Sequence, residues 1–143
     1  KRSRIVSVMT QYSIFDRRPE EKTLELIRRN EIGVIARGPL ASGLLSERWQ
    51  EKLSPDGYLD HSADEVKKTM ERLEKLAGSS RRLTHLALRY VLRHPAITIV
   101  LPGPRTLEQL DDILSVLETP ELTEAEWNKI RQASKANRYT MHR

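Results

Sequence analysis

The chain has 143 residues, within the usual size of one domain and long enough to bury a sizeable core. Its 38% hydrophobic and 31% charged content excludes a disordered tail, no apolar run approaches a membrane span, and the lack of cysteine excludes disulfides, thiol catalysis and zinc-thiolate sites. A net charge of +5 attracts anions in general, but acidic residues interleave with the basic ones in "DRRPEEK", and one Phe, two Trp and four Tyr form no basic-aromatic repeat for stacking bases.

In chain order, the first predicted element is a buried strand, "RIVSVMTQ" (4–11), whose polar interruptions at Ser7 and Thr10 and lack of a small-residue cleavage site argue against a secretory leader. "PEEKTLELIRRN" follows as a helix. Pro19 suits its first turn, acidic residues open it, and Arg28 and Arg29 close it, with Leu24, Ile27 and Leu26 turned toward a sheet. A second strand, "IGVIA" (32–36), completes a β-α-β unit. The long connection "RGPLASGLLSERWQEKLSPDGYLDH" then carries three glycines and two prolines, and a loop of this length in a compact domain is either functional or disordered.

"SADEVKKTMERLEKLA" predicts a helix opened by a capping box, Ser62 with Glu65, with Val66, Met70, Leu73 and Leu76 as its apolar face and Gly78 as its end. "LTHLALRYVLRH" predicts another, from Thr84 to His94, stopped by Pro95. The third strand is "AITIVL" (96–101). Beyond it "TLEQLDDILSVLE" pairs Thr106 with Gln109 as a cap and sets Leu110, Ile113, Leu114 and Leu117 in a packing stripe. The last helix opens at "LTEAEW", with Thr123 and Glu126 as the box and Leu122 stapled onto Trp127. His61, His85, His94 and His142 lack metal-ligand spacing and read as surface or helix-end residues, so no metal is expected.

Alternating strands and helices imply a parallel α/β sheet with right-handed crossovers. Three strands are few for a sheet that needs both faces covered, so open edges imply a missing part or a second chain. Two stretches past strand ends carry chemical information: "ARGPLASGLL" (36–45) and "PGPRTLEQLDD" (102–112). In the second, a Pro-Gly-Pro turn presents an arginine at a helix start, a junction that aims backbone N–H groups at an anion.

The strings "QYSIFDRRPEE", "IGVIARGPLASGLL" and "LALRYVLRHPAITIVLPGPRTLEQLDDIL" resemble, in order and spacing, the aldo-keto reductases. The resemblance implies an NADP(H)-dependent reductase that transfers hydride to an aldehyde or ketone. It implies the α/β fold of the C-terminal part of a (β/α)8 TIM barrel, strands six to eight, in a single partial domain over residues 1–143. Such a barrel needs ~250 residues. The family's catalytic Asp, Tyr, Lys and His come from its first four strands, so no catalytic residue is expected here and the chain alone should be inactive. The partners implied are a small carbonyl substrate and the missing N-terminal half or a second copy, with no nucleic acid and no membrane, in the cytoplasm.

Cofactor contacts carried over by the resemblance fall on Arg37, Gly38, Leu40 and Ser42 after the second strand, and on Gly103, Pro104, Arg105, Gln109 and Asp112 after the third. Arg105 would hold the 2′-phosphate of NADP in a bidentate grip. Arg37 stands where relatives stack an aromatic residue on the nicotinamide; its guanidinium either stacks there or is a surface charge at a strand end. Pro104 removes an N–H donor, Ile113 replaces an asparagine that contacts adenine, and Met9 aligns with a carboxamide-binding glutamine. A non-enzymatic half-barrel that pairs through its open sheet edges is the alternative.

Overall fold

A computed structural model describes residues 4–140. Strands β1 (Ser7–Gln11), β2 (Gly33–Arg37) and β3 (Ile97–Leu101) form one parallel sheet in the order β1-β2-β3. The first strand is thus shorter than the apolar pattern suggested, because Arg4 to Val6 lie exposed beyond the ladder. Between Val34 and Ile35 the register with β3 slips by one residue, and the bulged Thr98 fills the gap by accepting the Val34 N–H on its hydroxyl at 3.2 Å.

The helices are α1 (Thr23–Arg29), α2 (Ala63–Ala77), α3 (Leu83–Leu92), α4 (Leu107–Ser115) and α5 (Glu124–Ala133). The helix read across 19–30 is in fact split: Arg18–Glu21 forms a 3-10 turn, and Lys22 at φ −151° breaks it from α1. In so short a helix only Leu24 and Ile27 reach the core, and Leu26 is exposed. In α2 the buried stripe runs Val66, Met70, Leu73 and Ala77, one residue past the expected Leu76, which continues the four-residue step from Leu73. Both boxes, Ser62 with Glu65 and Thr123 with Glu126, close reciprocally. Leu122 and Trp127 both join the core.

One face of the sheet is covered and the other is bare. Val34 and Ala36 are buried under the helices with Tyr12, Ile14 and Phe15 from the loop after β1. On the opposite face Met9, Ile35 and Ile99 pair across the three strands, and Met9 is 56% and Ile99 48% exposed. Helix α4 behaves likewise: it follows the edge strand, so its apolar stripe has no further unit to meet. Leu107 is 79% and Leu117 69% exposed, Leu110 and Leu114 are exposed too, and Ile113 is only half-buried. The packing assigned to that stripe is therefore not made within the described residues.

The long connection is held by compact turns. Tyr58 and His61 exchange backbone hydrogen bonds of 2.9 and 3.0 Å. Gly57 adopts φ +81°, and a Cβ there would lie 2.0 Å from the His61 carbonyl oxygen. Gly57→Ala is accordingly expected to destabilise the chain by more than about 2 kcal/mol in urea unfolding, combining left-handed strain with a backbone clash.

Histidines 61 and 85 lie at helix ends but are buried, contrary to a surface placement. The Nε2–H of His61 donates to the Phe15 carbonyl at 3.0 Å, and burial lowers its pKa, so it packs as a neutral ring. His142 lies outside the described residues.

The loop after β1 and the chain's end are clasped by a buried polar cluster. Glu20 accepts the hydroxyls of Tyr12 at 2.8 Å and Tyr90 at 3.0 Å, and pairs with Arg17 at 2.8 Å and Arg131 at 3.1 Å. Arg17 donates onward to the Arg131 carbonyl at 2.9 Å, and its backbone N–H to the Asn137 side chain at 2.7 Å. Burial opposes the charge on Glu20, but the arginines and hydroxyls outweigh it and hold the carboxyl at about 2.

Candidate functional site

Parallel register brings Gln11, Arg37 and Leu101 level at the carboxyl ends of the three strands. Every candidate residue follows one of the last two of those ends, so the fold gathers both stretches at one rim, the place where open α/β sheets and barrels bind ligands. Arg37 ends β2 with its side chain exposed, and its guanidinium has no hydrogen bond or ion pair among the described residues. The chain then turns sharply, with Gly38 at φ +63° and Ser42 at φ +59°. Leu40 is half-buried against the core while Ser42 is exposed.

After β3 the turn opens to space. Nothing lies within 4 Å of where a Gly103 Cβ would sit. Pro104 and Arg105 are exposed, and the Arg105 guanidinium has no protein partner among the described residues. The N–H row expected at this junction is incomplete. Thr106 accepts from the Gln109 N–H at 3.2 Å, but the Gln109 side-chain oxygen takes the N–H of Arg105 at 2.8 Å instead of returning to Thr106. The cap is thus half of the expected box, its other arm shifted by one residue. With Pro104 donorless and Arg105 N–H engaged, an anion here would rest chiefly on the Arg105 side chain.

Asp112 is mostly buried on α4. Its Oδ1 lies 3.0 Å from Arg82 Nη1 and 3.1 Å from His85 Nε2, and its carbonyl accepts from His85 at 2.9 Å and Ser115 at 2.8 Å. Ile113 is half-buried beside it. Among the described residues no cluster of three His, Asp or Glu could hold a metal ion. Among them, too, no helix is long and apolar enough to cross a membrane.

Two rim features escaped sequence reasoning. Gln11 donates to the Tyr58 hydroxyl at 3.1 Å, folding the long loop back over the end of β1. Burial raises the Tyr58 pKa, so the phenol stays protonated. Arg18 grips Asp16 at 2.7 and 2.8 Å and lies over the ring of Tyr139, 5.2 Å from its centre, which brings the tail to the same rim. The partners in the first pair are 47 residues apart, a separation that leaves no local pattern.

The sequence model of the Aldo/keto reductase family matches residues 1–135. The chain belongs to the aldo/keto reductase family. It is 37% identical over 147 residues to an uncharacterized oxidoreductase, YqkF, of Bacillus subtilis, covering all of this chain and 47% of that protein. It is 40% identical to the aldo-keto reductase AKR11C1 of Bacillus halodurans in its holo form, with a TM-score of 0.88 over 99% of this chain and 46% of that one. The thermostable aldo-keto reductase Tm1743, in complex with the inhibitor epalrestat, is 27% identical with a TM-score of 0.63, over 91% of this chain and 40% of that one.

The aldo/keto reductase chain therefore spans about half the length of these relatives and corresponds to their C-terminal part. Its three parallel strands and covering helices are part of a (β/α)8 barrel. The open edges and the unmet stripe of α4 follow from this, because a closed barrel has further strands beyond each edge, and the bare face is the one such a barrel turns inward against the side chains of its other strands.

Proposed function

We infer that this chain is the cofactor-holding C-terminal half of an NADP(H)-dependent aldo-keto reductase that acts on an aldehyde or ketone in the cytoplasm. The observation that carries the reading is Arg105: an exposed guanidinium with no protein partner among the described residues, beside the open turn at Gly103, on the ligand-binding rim of a family member. NADPH, when bound, supplies the hydride for the carbonyl carbon. The chain's residues bind and orient it. Arg105 grips the 2′-phosphate, Gly103 admits close approach, and Arg37, Gly38, Leu40 and Ser42 line the other side. Pro104, Gln109 and Asp112 shape the turn and helix that hold the adenosine end. A guanidinium at Arg37 next to the nicotinamide would also disfavour the cationic, oxidised ring.

No group of this chain is assigned an acid-base role; that role belongs to the N-terminal half of the domain. The chain by itself is expected to show no NADPH consumption with an aldehyde, and to consume NADPH once joined to an N-terminal half barrel that carries Asp, Tyr, Lys and His. Turnover by the chain alone would defeat this division of labour.

A second reading rests on the bare face at Met9 and Ile99: a half barrel that self-associates and has no enzymatic role. Sedimentation separates the two, since a compact monomer in solution removes the pairing reading.

A further inference from the structure

Away from the rim, a cavity of about 200 Å³ lies between α2 and the end of α5. That is below the ~300–1,000 Å³ of pockets for organic ligands and several times the ~30 Å³ share of one water, a size for a small ion. The buried His61 ring and the buried Thr69 form part of its wall. Lys68 and Arg72 line it too, and four residues apart on α2 they share one face of that helix.

Charge in the cavity is unbalanced. Glu65 is its one carboxylate among the described residues, and it is already engaged twice, by the Ser62 N–H at 2.8 Å and by Lys135 Nζ at 3.1 and 3.2 Å. The Thr69 hydroxyl donates to the Ala133 carbonyl at 3.2 Å. What is left is cationic: Lys68 has no hydrogen bond or ion pair among the described residues, and Arg72 reaches the Ala133 carbonyl only at 3.4 Å. Like charges at this helical spacing repel each other, and an anion between them is attracted to both. We propose that this cavity is an oxyanion site that takes a phosphate group between Lys68 and Arg72. The guanidinium fork meets two phosphate oxygens and the lysine adds a point charge. None of the lining residues belongs to the cofactor rim, so the site is independent of the cofactor assignment.

The test titrates inorganic phosphate into the full chain at fixed pH and ionic strength and follows the histidine ring resonances by NMR. The His61 signals shift and saturate at millimolar phosphate, while those of His85, which is held against Asp112 on α4, do not move. Lys68→Met and Arg72→Met each weaken binding about tenfold, the worth of one hydrogen bond to a charged group. Both side chains are exposed, so neither substitution disturbs the core. Lys67→Met, which removes a charge outside the cavity, and Arg105→Ala leave the affinity unchanged. Glycerol 3-phosphate tells the source: it shifts His61 as well if the cavity takes the phosphoryl group of an ester, and fails to if only the free ion fits, and either result supports the site. No saturable shift at His61 overturns it. So does an equal loss in Lys67→Met, the mark of general attraction to a chain of net charge +5. Loss of the shift in Arg105→Ala overturns it too, because the phosphate would then sit at the rim.

Discussion

Glu20→Gln is expected to lower the stability of the chain by about 3 kcal/mol, the cost of breaking a buried ion pair from one side. The substitution keeps the shape of the side chain but removes the charge that faces Arg17, which is only 6% exposed. Arg17 would keep the Arg131 carbonyl as a partner but no anion, and the Tyr12 and Tyr90 hydroxyls would lose their charged acceptor. Chemical denaturation measures the loss, and the melting temperature should fall by on the order of 10 °C. The acid limb of stability should flatten as well. Glu20 is held at about 2 against an ordinary 4.5, so its contribution is complete above the unfolded value and drains as pH falls toward the folded one. In the variant that share of the slope is absent, while the share from Glu47, which against its burial Arg82 and Thr84 hold at about 2, remains.

The second large effect falls on binding. Arg105→Ala should weaken NADPH by roughly 10- to 100-fold, as expected for the loss of charged hydrogen bonds to a phosphate, and leave NADH nearly unchanged. The side chain has no structural duty among the described residues, so folding should be untouched. Equal loss for both dinucleotides would place Arg105 elsewhere than at the 2′-phosphate. Equal affinity of variant and parent for NADPH would remove it from the site. The turn itself argues that the effect is concentrated on this side chain, since Pro104 offers no donor and Gln109 already holds the Arg105 N–H.

What was legible in the sequence was local. The boxes at Ser62 and Thr123 are contacts three residues apart, written in the chain as spacing, and they close as read. The three strands and their parallel order followed from β-branched runs separated by helical periods. The stripe of α4 was legible as a period but not as a contact, because periodicity says that a face is apolar and not what covers it. The box at Thr106 failed in one arm for a reason invisible in a pattern, since the Gln109 side chain has two backbone donors within reach and takes the earlier.

The long-range clusters were not legible at all. Glu20 meets Tyr90 across 70 residues and Arg131 across 111, and Arg82 meets Glu47 across 35. No spacing rule links residues so far apart, so none of these contacts leaves a pattern in the sequence. Buried His61 and His85 went unseen for the same reason, since their partners, Phe15 and Asp112, come from other elements. That Arg37, Gly103 and Arg105 follow strand ends was legible from the chain order, and the parallel register supplies the geometric basis that brings them to a single rim.

Fluorescence titration of the 143-residue chain with NADPH, run beside NADH, decides whether it is the cofactor-holding half of a reductase. Saturable binding to a single site is expected, with NADPH clearly the tighter ligand. Binding of neither dinucleotide, or equal binding of both, would contradict it.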